Sequence, residues 1–250
     1  MNDCMLRTES LVKRYGGLLV TDNVSLDIRV GELHAIIGPN GAGKTTLINQ
    51  LSGELASNEG KVIFSGEDVT ALPIYRRAHM GLLRSYQITS IFDEFTVQEN
   101  AVLAAMAAKE HAFRFWQPML QHKELVRAAN EALQVAGLAR RANVPAENLA
   151  YGEKRQLELA MALAAQPKFL LLDEPMAGMS AQECSAVVSL LKSLKGRYSI
   201  LLIEHDMDAV FALADRITVL VYGKLVFTGT PDEIRNHPEV KAVYLGEEEI

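Results

Sequence analysis

A short apolar run, Leu33–Ile37, breaks at Gly38 into a glycine-rich loop that passes directly into a helix-forming stretch over residues 44–52. No other feature constrains the fold as tightly. The loop reads Gly38, Pro39, Asn40, Gly41, Ala42, Gly43, Lys44, Thr45, Thr46 and fits G-x-x-x-x-G-K-[ST] in the context that pattern requires, between a strand and a helix. Glycines let successive backbone N–H groups turn inward around phosphate oxygens, and the helix N-terminus adds partial positive charge. Lys44 is expected to reach the β- and γ-phosphates, and the Thr45 hydroxyl to hold Mg²⁺. Residues 60–64 return as a strand, so the order strand, glycine loop, helix, strand predicts a βαβ-type nucleotide fold.

A second buried-strand pattern, Phe169–Leu172, ends in Asp173, Glu174 and Pro175. In open α/β sheets ligands lie at the C-terminal strand ends, which places Asp173 at Mg²⁺ and Glu174 one residue further as general base for the attacking water. Further strands are expected over 6–12, 24–30, 200–203, 217–222 and 225–228, the N-terminal ones alternating apolar and polar residues. The middle third is helical. Thr96 with Glu99 and Ser180 with Glu183 have capping-box spacing, and helical patterns cover 97–111, 123–136, 153–165, 181–195 and 207–214. These patterns predict a helical subdomain over 86–165, set between two core segments, 1–85 and 166–250.

Composition removes several alternatives. With 25 Lys+Arg against 31 Asp+Glu and a formal net charge of -6, the chain carries no general nucleic-acid-coating charge, and no nucleic-acid partner is expected. The 2 cysteines, Cys4 and Cys184, lack CxxC spacing, which disfavours a disulfide scaffold or zinc site. No apolar run approaches the roughly 20 residues of a spanning helix, and the charged start over residues 1–14 lacks a signal-peptide core. His34, His79, His111, His122 and His237 show no metal-ligand spacing. Phe113, Phe115 and Trp116 are expected to pack in the helical subdomain, or to lie near a groove for a partner's helix.

Between the glycine loop and the acidic strand stands Leu149, Ala150, Tyr151, Gly152, Glu153, Lys154, Arg155, Gln156. This segment resembles the signature sequence, usually written LSGGQ, of ATP-binding cassette (ABC) ATPases, and the resemblance extends over essentially the whole chain. It implies an α/β fold with a P-loop NTPase core, an inserted α-helical subdomain and an N-terminal antiparallel β portion. It implies ATP and Mg²⁺ as cofactors, and head-to-tail closure of two ATPase subunits, so that Ala150–Glu153 of one meet the γ-phosphate on the other. By the same resemblance Gln87 contacts Mg²⁺ and couples to the transporter, His205 contacts the γ-phosphate, and Tyr15 stacks on adenine. Ala150 stands where the family has serine, which removes one hydroxyl, and Ser180 stands where most members have aspartate.

The segment 81–87, the variant signature, the loop Met176–Met179 and the ending Val243–Gly246 resemble ATPases of branched-chain amino acid uptake systems. That likeness implies separate transmembrane permease subunits, a homo- or heterodimeric ATPase pair and, indirectly, a periplasmic binding protein. It places the chain peripherally on the cytoplasmic face of the bacterial inner membrane. Related members serve urea, short amides and aromatic acids. An exporter ATPase of the lipopolysaccharide type is the second reading, and a soluble non-transport ABC ATPase the third.

Overall fold

The computed structural model describes residues 4–85, 91–108 and 119–240. Two sheets organise it. Strands β1 (Cys4–Tyr15), β2 (Leu18–Val24), β3 (Asp27–Arg29), β5 (Glu59–Phe64) and β6 (Glu67–Asp68) form an antiparallel sheet of order β2-β1-β5-β6, with β3 also paired to β1. Strands β4 (Leu33–Ile37), β7 (Leu82–Ser85), β8 (Phe169–Asp173), β9 (Ser199–Ile203), β10 (Arg216–Val221) and β11 (Lys224–Gly229) form the second, of order β11-β10-β4-β9-β8-β7. It is parallel except where β11 returns along β10.

The central strands are apolar throughout because both faces are covered, as in parallel sheets generally. Period-two alternation sorts their side chains between two cores. Leu33, Ala35, Leu170, Leu172, Ile200 and Leu202 face one core, shared with the helices α3 (Val97–Ala107), α4 (Lys123–Val135), α5 (Tyr151–Ala164), α6 (Ala181–Leu194) and α7 (Met207–Leu213). Ile36, Phe169, Leu171, Leu201 and Ile203 face the other, shared with α1 (Lys44–Ser52) and with Leu6, Ile28, Val62 and Phe64 of the antiparallel sheet. Each such large apolar side chain contributes about 1.5–3 kcal/mol on burial. Helix α4 shows why the middle third folds as it does. Leu125, Ala129, Ala132 and Leu133 recur at helical spacing and are buried, while Arg127 and Glu131 stay exposed.

Local chemistry sets the helix ends. The Thr96 and Ser180 side chains accept from the N–H of Glu99 and Glu183, and each glutamate reaches back to its cap, completing both expected capping boxes. A third, Thr230 with Glu233, opens α8 (Pro231–Asn236), ahead of the short helix α9 (Pro238–Val240). α5 begins at Tyr151 instead of the expected residue 153, which places Gly152 in its first turn.

The sequence reading needs corrections: residues 60–64 return as β5, which pairs with β1 in the antiparallel sheet, so β4, the glycine loop, α1 and β5 do not make a parallel βαβ unit, and β4 is flanked by β10 and β9 instead. Of the expected strand over 24–30 only Asp27–Arg29 forms a strand of its own, β3, while Val24 ends β2, which the Gly16–Gly17 turn folds back so that Tyr15 pairs with Leu18. Helix α2 (Ile74–His79) and strand β7 were not expected. β7 lies at the sheet edge with only Leu82 buried, so its pattern is too short and too polar to stand out. The ending Val243–Gly246, His111, Phe113, Phe115, Trp116 and Gln87 lie outside the described residues.

Helix α1 is tied at its C-terminal end by Arg77 of α2, which is 2% exposed. Its guanidinium donates to the carbonyls of Gln50 and Leu51 at 2.9 and 2.7 Å, and to those of Leu72 and Thr70 at 3.0 and 2.9 Å. These bonds satisfy carbonyls left over at the helix end, where the dipole favours a cation. Burial draws the Arg77 pKa down to about 10. Arg77→Ala is expected to destabilise the fold by about 2–4 kcal/mol, through several buried carbonyls losing their donor at once. Urea unfolding measures this; a midpoint equal to that of the parent chain would contradict it.

Candidate functional site

Four consecutive strands of the parallel sheet, β4, β9, β8 and β7, carry the candidate residues at or just beyond their C-terminal ends. β4 runs into the glycine loop and α1, β9 into His205, and β8 into Asp173 and Glu174, while β7 ends at Ser85, shortly before Gln87 in sequence. The loop is held from behind by backbone. The N–H of Gly223 donates to Ala42 O at 2.8 Å, and that of Asp22 to Gly223 O at 2.8 Å. Gly43 has φ 104°, and a Cβ there would stand 2.5 Å from Val20 O, so both conformation and contact demand glycine. Gly38, Gly41, Pro39 and Asn40 complete the turn, with Asn40, Gly41 and Thr45 exposed and Thr46 half-buried.

Lys44 is 7% exposed, and its ammonium donates to Gly38 O at 2.6 Å and Pro39 O at 3.1 Å, folding back across the loop. Burial pushes its pKa down, partly offset by the charges of Glu174 and Asp173. Asp173 is 3% exposed. Its Oδ2 accepts from Arg84 Nη2 at 2.9 Å, while Oδ1 is buried and has no hydrogen-bond partner among the described residues. Burial pushes this carboxyl up, against the lowering effect of Arg84. Arg84 also donates to Asn49 and Glu54, so β7, β8 and the region of α1 meet at one guanidinium. A buried carboxylate oxygen without a donor, close enough to Lys44 for their charges to interact, suits a hard divalent cation, and Thr45 offers a hydroxyl next in sequence to Lys44.

Glu174 has φ 49°, a left-handed conformation that costs a non-glycine residue about 1–2 kcal/mol. Its N–H donates to Ile203 O at 2.9 Å, and its Oε1 lies 2.6 Å from Nε2 of His205. The structure thus brings together two residues 31 positions apart that the sequence reading assigned to one reaction. Both retain solvent access, with side chains 26% and 42% exposed.

The signature segment lies on the first turn of α5. Ala150 and Tyr151 are exposed. Ala150 occupies the cap position without a side-chain acceptor, so only half of a capping box survives: Glu153 Oε2 accepts from the Ala150 N–H at 3.0 Å. The same carboxylate pairs with Arg141 at 3.0 Å. Glu153 therefore has its acid engaged within the subunit. The Gly152 N–H donates to Glu183 Oε1 at 2.9 Å, and a Cβ on Gly152 would meet that oxygen at 2.5 Å. Tyr15, 51% exposed, ends β1 beside the Gly16–Gly17 turn with Lys13 Nζ 5.5 Å from its ring centre. Sequence reasoning gave no role to Arg77, Glu204 or Arg84, the last of them inside the segment 81–87 but without an assigned contact.

A glycine loop with a buried lysine, a buried acid and a carboxylate–histidine pair along adjacent ends of a parallel sheet form the arrangement of a P-loop nucleoside triphosphatase. Comparison with known proteins narrows that class: the ABC transporter family matches residues 21–177, and the branched-chain amino acid ATP-binding cassette transporter family matches residues 224–250. The chain belongs to the ABC transporter family, as an ATP-binding, ATP-hydrolysing cassette. It is 40% identical to the high-affinity branched-chain amino acid transport ATP-binding protein LivG of Salmonella typhimurium, over 99% of this chain and 100% of that one. It is 36% identical to BraF of Pseudomonas aeruginosa, over 99% and 100%. The lipopolysaccharide export system ATP-binding protein LptB of Haemophilus influenzae is 34% identical, over 98% of each chain. Among solved structures, the ADP conformation of an ATP-binding cassette of an ABC transporter superposes with TM-score 0.86 and 29% identity, covering 97% of this chain and 99% of the other.

Proposed function

We propose that the chain is one of two ATPase subunits on the cytoplasmic face of the bacterial inner membrane, driving uptake of branched-chain amino acids or a related small amino acid, amide or carboxylate. The observation that carries the site assignment is the Glu174–His205 pair beside the glycine loop, with Asp173 buried next to it. The substrate class rests on the likeness to LivG and BraF and on the C-terminal family match over 224–250.

In this reading Gly38–Thr46 cradle the phosphates and Lys44 leaves the Gly38 and Pro39 carbonyls to meet them. Tyr15 stacks on adenine, and Thr45 and Asp173, with Gln87, hold Mg²⁺. Mg²⁺ would neutralise charge on the phosphate oxygens. Glu174 accepts the proton of the attacking water, and His205 and Lys44 stabilise charge on the transferring phosphoryl group. Residues 150–153 of the second subunit, homo- or heteromeric, close over the site. Residues 86–165 move as a helical unit against a core of 1–85 and 166–250, although both share one apolar core in this conformation.

A groove of about 430 Å³ between β7 and helices α2, α3 and α5, lined by Tyr75, Leu83, Ala104, Ala107 and Met161, suits an apolar helix of a permease. A periplasmic binding protein then acts through the permease. Among the described residues no helix is long and apolar enough to cross a membrane, so the membrane path belongs to other subunits in this reading.

The test is to tag the Glu174→Gln chain, trap it with ATP and Mg²⁺ in its host, and identify what co-purifies from solubilised membranes. Recovery of polytopic permeases with an amino acid binding protein supports the proposal, and shows whether the second ATPase is a copy of this chain. Recovery of soluble partners alone, or of an exporter assembly, overturns it.

A further inference from the structure

Glu204 is a buried carboxylate that the reaction described above does not use. It is 4% exposed, and it sits between the end of β9 and His205. Oε1 accepts from the Met176 N–H at 2.9 Å, and Oε2 from the His205 N–H at 3.0 Å. Burial and the charge of Glu174 push this carboxyl up, while the neighbouring backbone N–H groups of Met176, His205 and Asp206 pull it down. Burying a carboxylate is costly even with such donors, so the position calls for a structural or functional reason.

The surroundings indicate the reason. β8 and β9 stay linked through the bond from Glu174 N–H to Ile203 O, and the two chains then part. Beyond that point Glu204 links them again, because one oxygen holds the loop after Pro175 and the other holds the turn of His205. The path Glu174, Pro175, Met176, Glu204, His205 closes on itself through the 2.6 Å contact between His205 and Glu174. The left-handed backbone of Glu174 restricts where its side chain can aim, so the histidine must be held within its reach.

We infer that Glu204 is a positioning residue that fixes the separation of Glu174 and His205. The inference rests on the proposed hydrolytic role of that pair. It does not require Glu204 to touch ATP.

The experiment uses the full chain and compares Glu204→Gln, Glu174→Gln, His205→Ala and the double variant Glu204→Gln/His205→Ala. An amide has nearly the volume of the acid, but it can accept from only one of the two N–H groups and turns an NH₂ toward the other. Glu204→Gln is expected to keep the parent's ATP affinity, to melt at a lower temperature because one buried N–H loses its acceptor, and, where folded, to lower kcat about 10- to 100-fold with KM unchanged. In the His205→Ala background the same change is expected to lower kcat by less than about twofold, since there is no longer a histidine to position. Unchanged kcat, a rise in KM alone, or an equal loss in both backgrounds would overturn the inference. Parent-level turnover in Glu174→Gln and His205→Ala would overturn the assigned pair and the inference with it. A loss in those two alone would leave the pair standing and remove Glu204. Should Glu204→Gln not fold, Glu204→Asp keeps the charge and shortens the reach. A folded Glu204→Asp with lowered kcat supports positioning, whereas parent turnover or a second failure to fold overturns it.

Discussion

Replacement of Glu174 by glutamine is expected to leave ATP bound and to lower turnover by about 100- to 10,000-fold, the contribution usual for a positioned general base. The geometry makes this a clean substitution. The amide oxygen introduced by Glu174→Gln can still accept from Nε2 of His205, 2.6 Å from the present Oε1, so the pair keeps its arrangement while losing proton affinity. The left-handed φ of 49° is a property of the backbone, and glutamine tolerates it no worse than glutamate. Glu174 is not among the groups proposed to hold phosphate, so affinity for ATP should not fall. Equilibrium binding of ATP and single-turnover phosphate release measure the two quantities separately. Weak ATP binding by the variant would place Glu174 in the binding site instead of the chemistry, and near-parent phosphate release would assign the base elsewhere.

Local chemistry was legible in the sequence, and long-range chemistry was not. Helix α1 occupies residues 44–52 as expected because the glycine loop and Gly53 mark both ends. The capping boxes at Thr96 and Ser180 followed from three-residue spacing. Thr230, Pro231, Asp232 and Glu233 carry the same signal, with proline at the first helical position, but the helix they open is only 6 residues long and offers little apolar periodicity to accompany it. The Gly16–Gly17 hairpin was also visible in principle, as paired glycines between apolar runs.

Arg84, Arg77 and Glu204 belong to a different category. Each is a charged residue inside or beside an element, and each takes its role from a partner distant in sequence. Arg84 meets Asp173 across 89 positions, and Glu204 meets Met176 across 28. A spacing rule detects groups that act within one turn or one strand. It cannot detect a guanidinium that serves several elements at once. The positions of Asp173, Glu174 and His205 at the C-terminal strand ends were legible because each ends or closely follows a buried strand, and parallel strands all end on the same side of their sheet.

The same distinction governs the expected effect of Asp173→Asn, which should abolish the Mg²⁺-dependent part of ATP binding, a loss of about 100-fold or more. Asparagine preserves the shape of a residue that is 3% exposed, and its amide oxygen can still accept from Arg84 Nη2, now at 2.9 Å from Oδ2. The amide nitrogen must then take the place of Oδ1, the buried oxygen that has no hydrogen-bond partner among the described residues. A nitrogen bearing two hydrogens cannot ligate a hard cation. The substitution also removes the charge of one acid that Arg84 meets, although Glu54 at 2.7 Å stays, so a loss of about 1–3 kcal/mol of stability should accompany it. Titration of ATP with Mg²⁺ and with chelator separates these outcomes. The parent chain should bind ATP more tightly with Mg²⁺, while the variant should give one affinity in both conditions at temperatures where it is folded. A variant that keeps the parent's response to Mg²⁺ would remove Asp173 from the metal site and leave its carboxylate with a structural part alone, as the anchor of Arg84 at the end of β8.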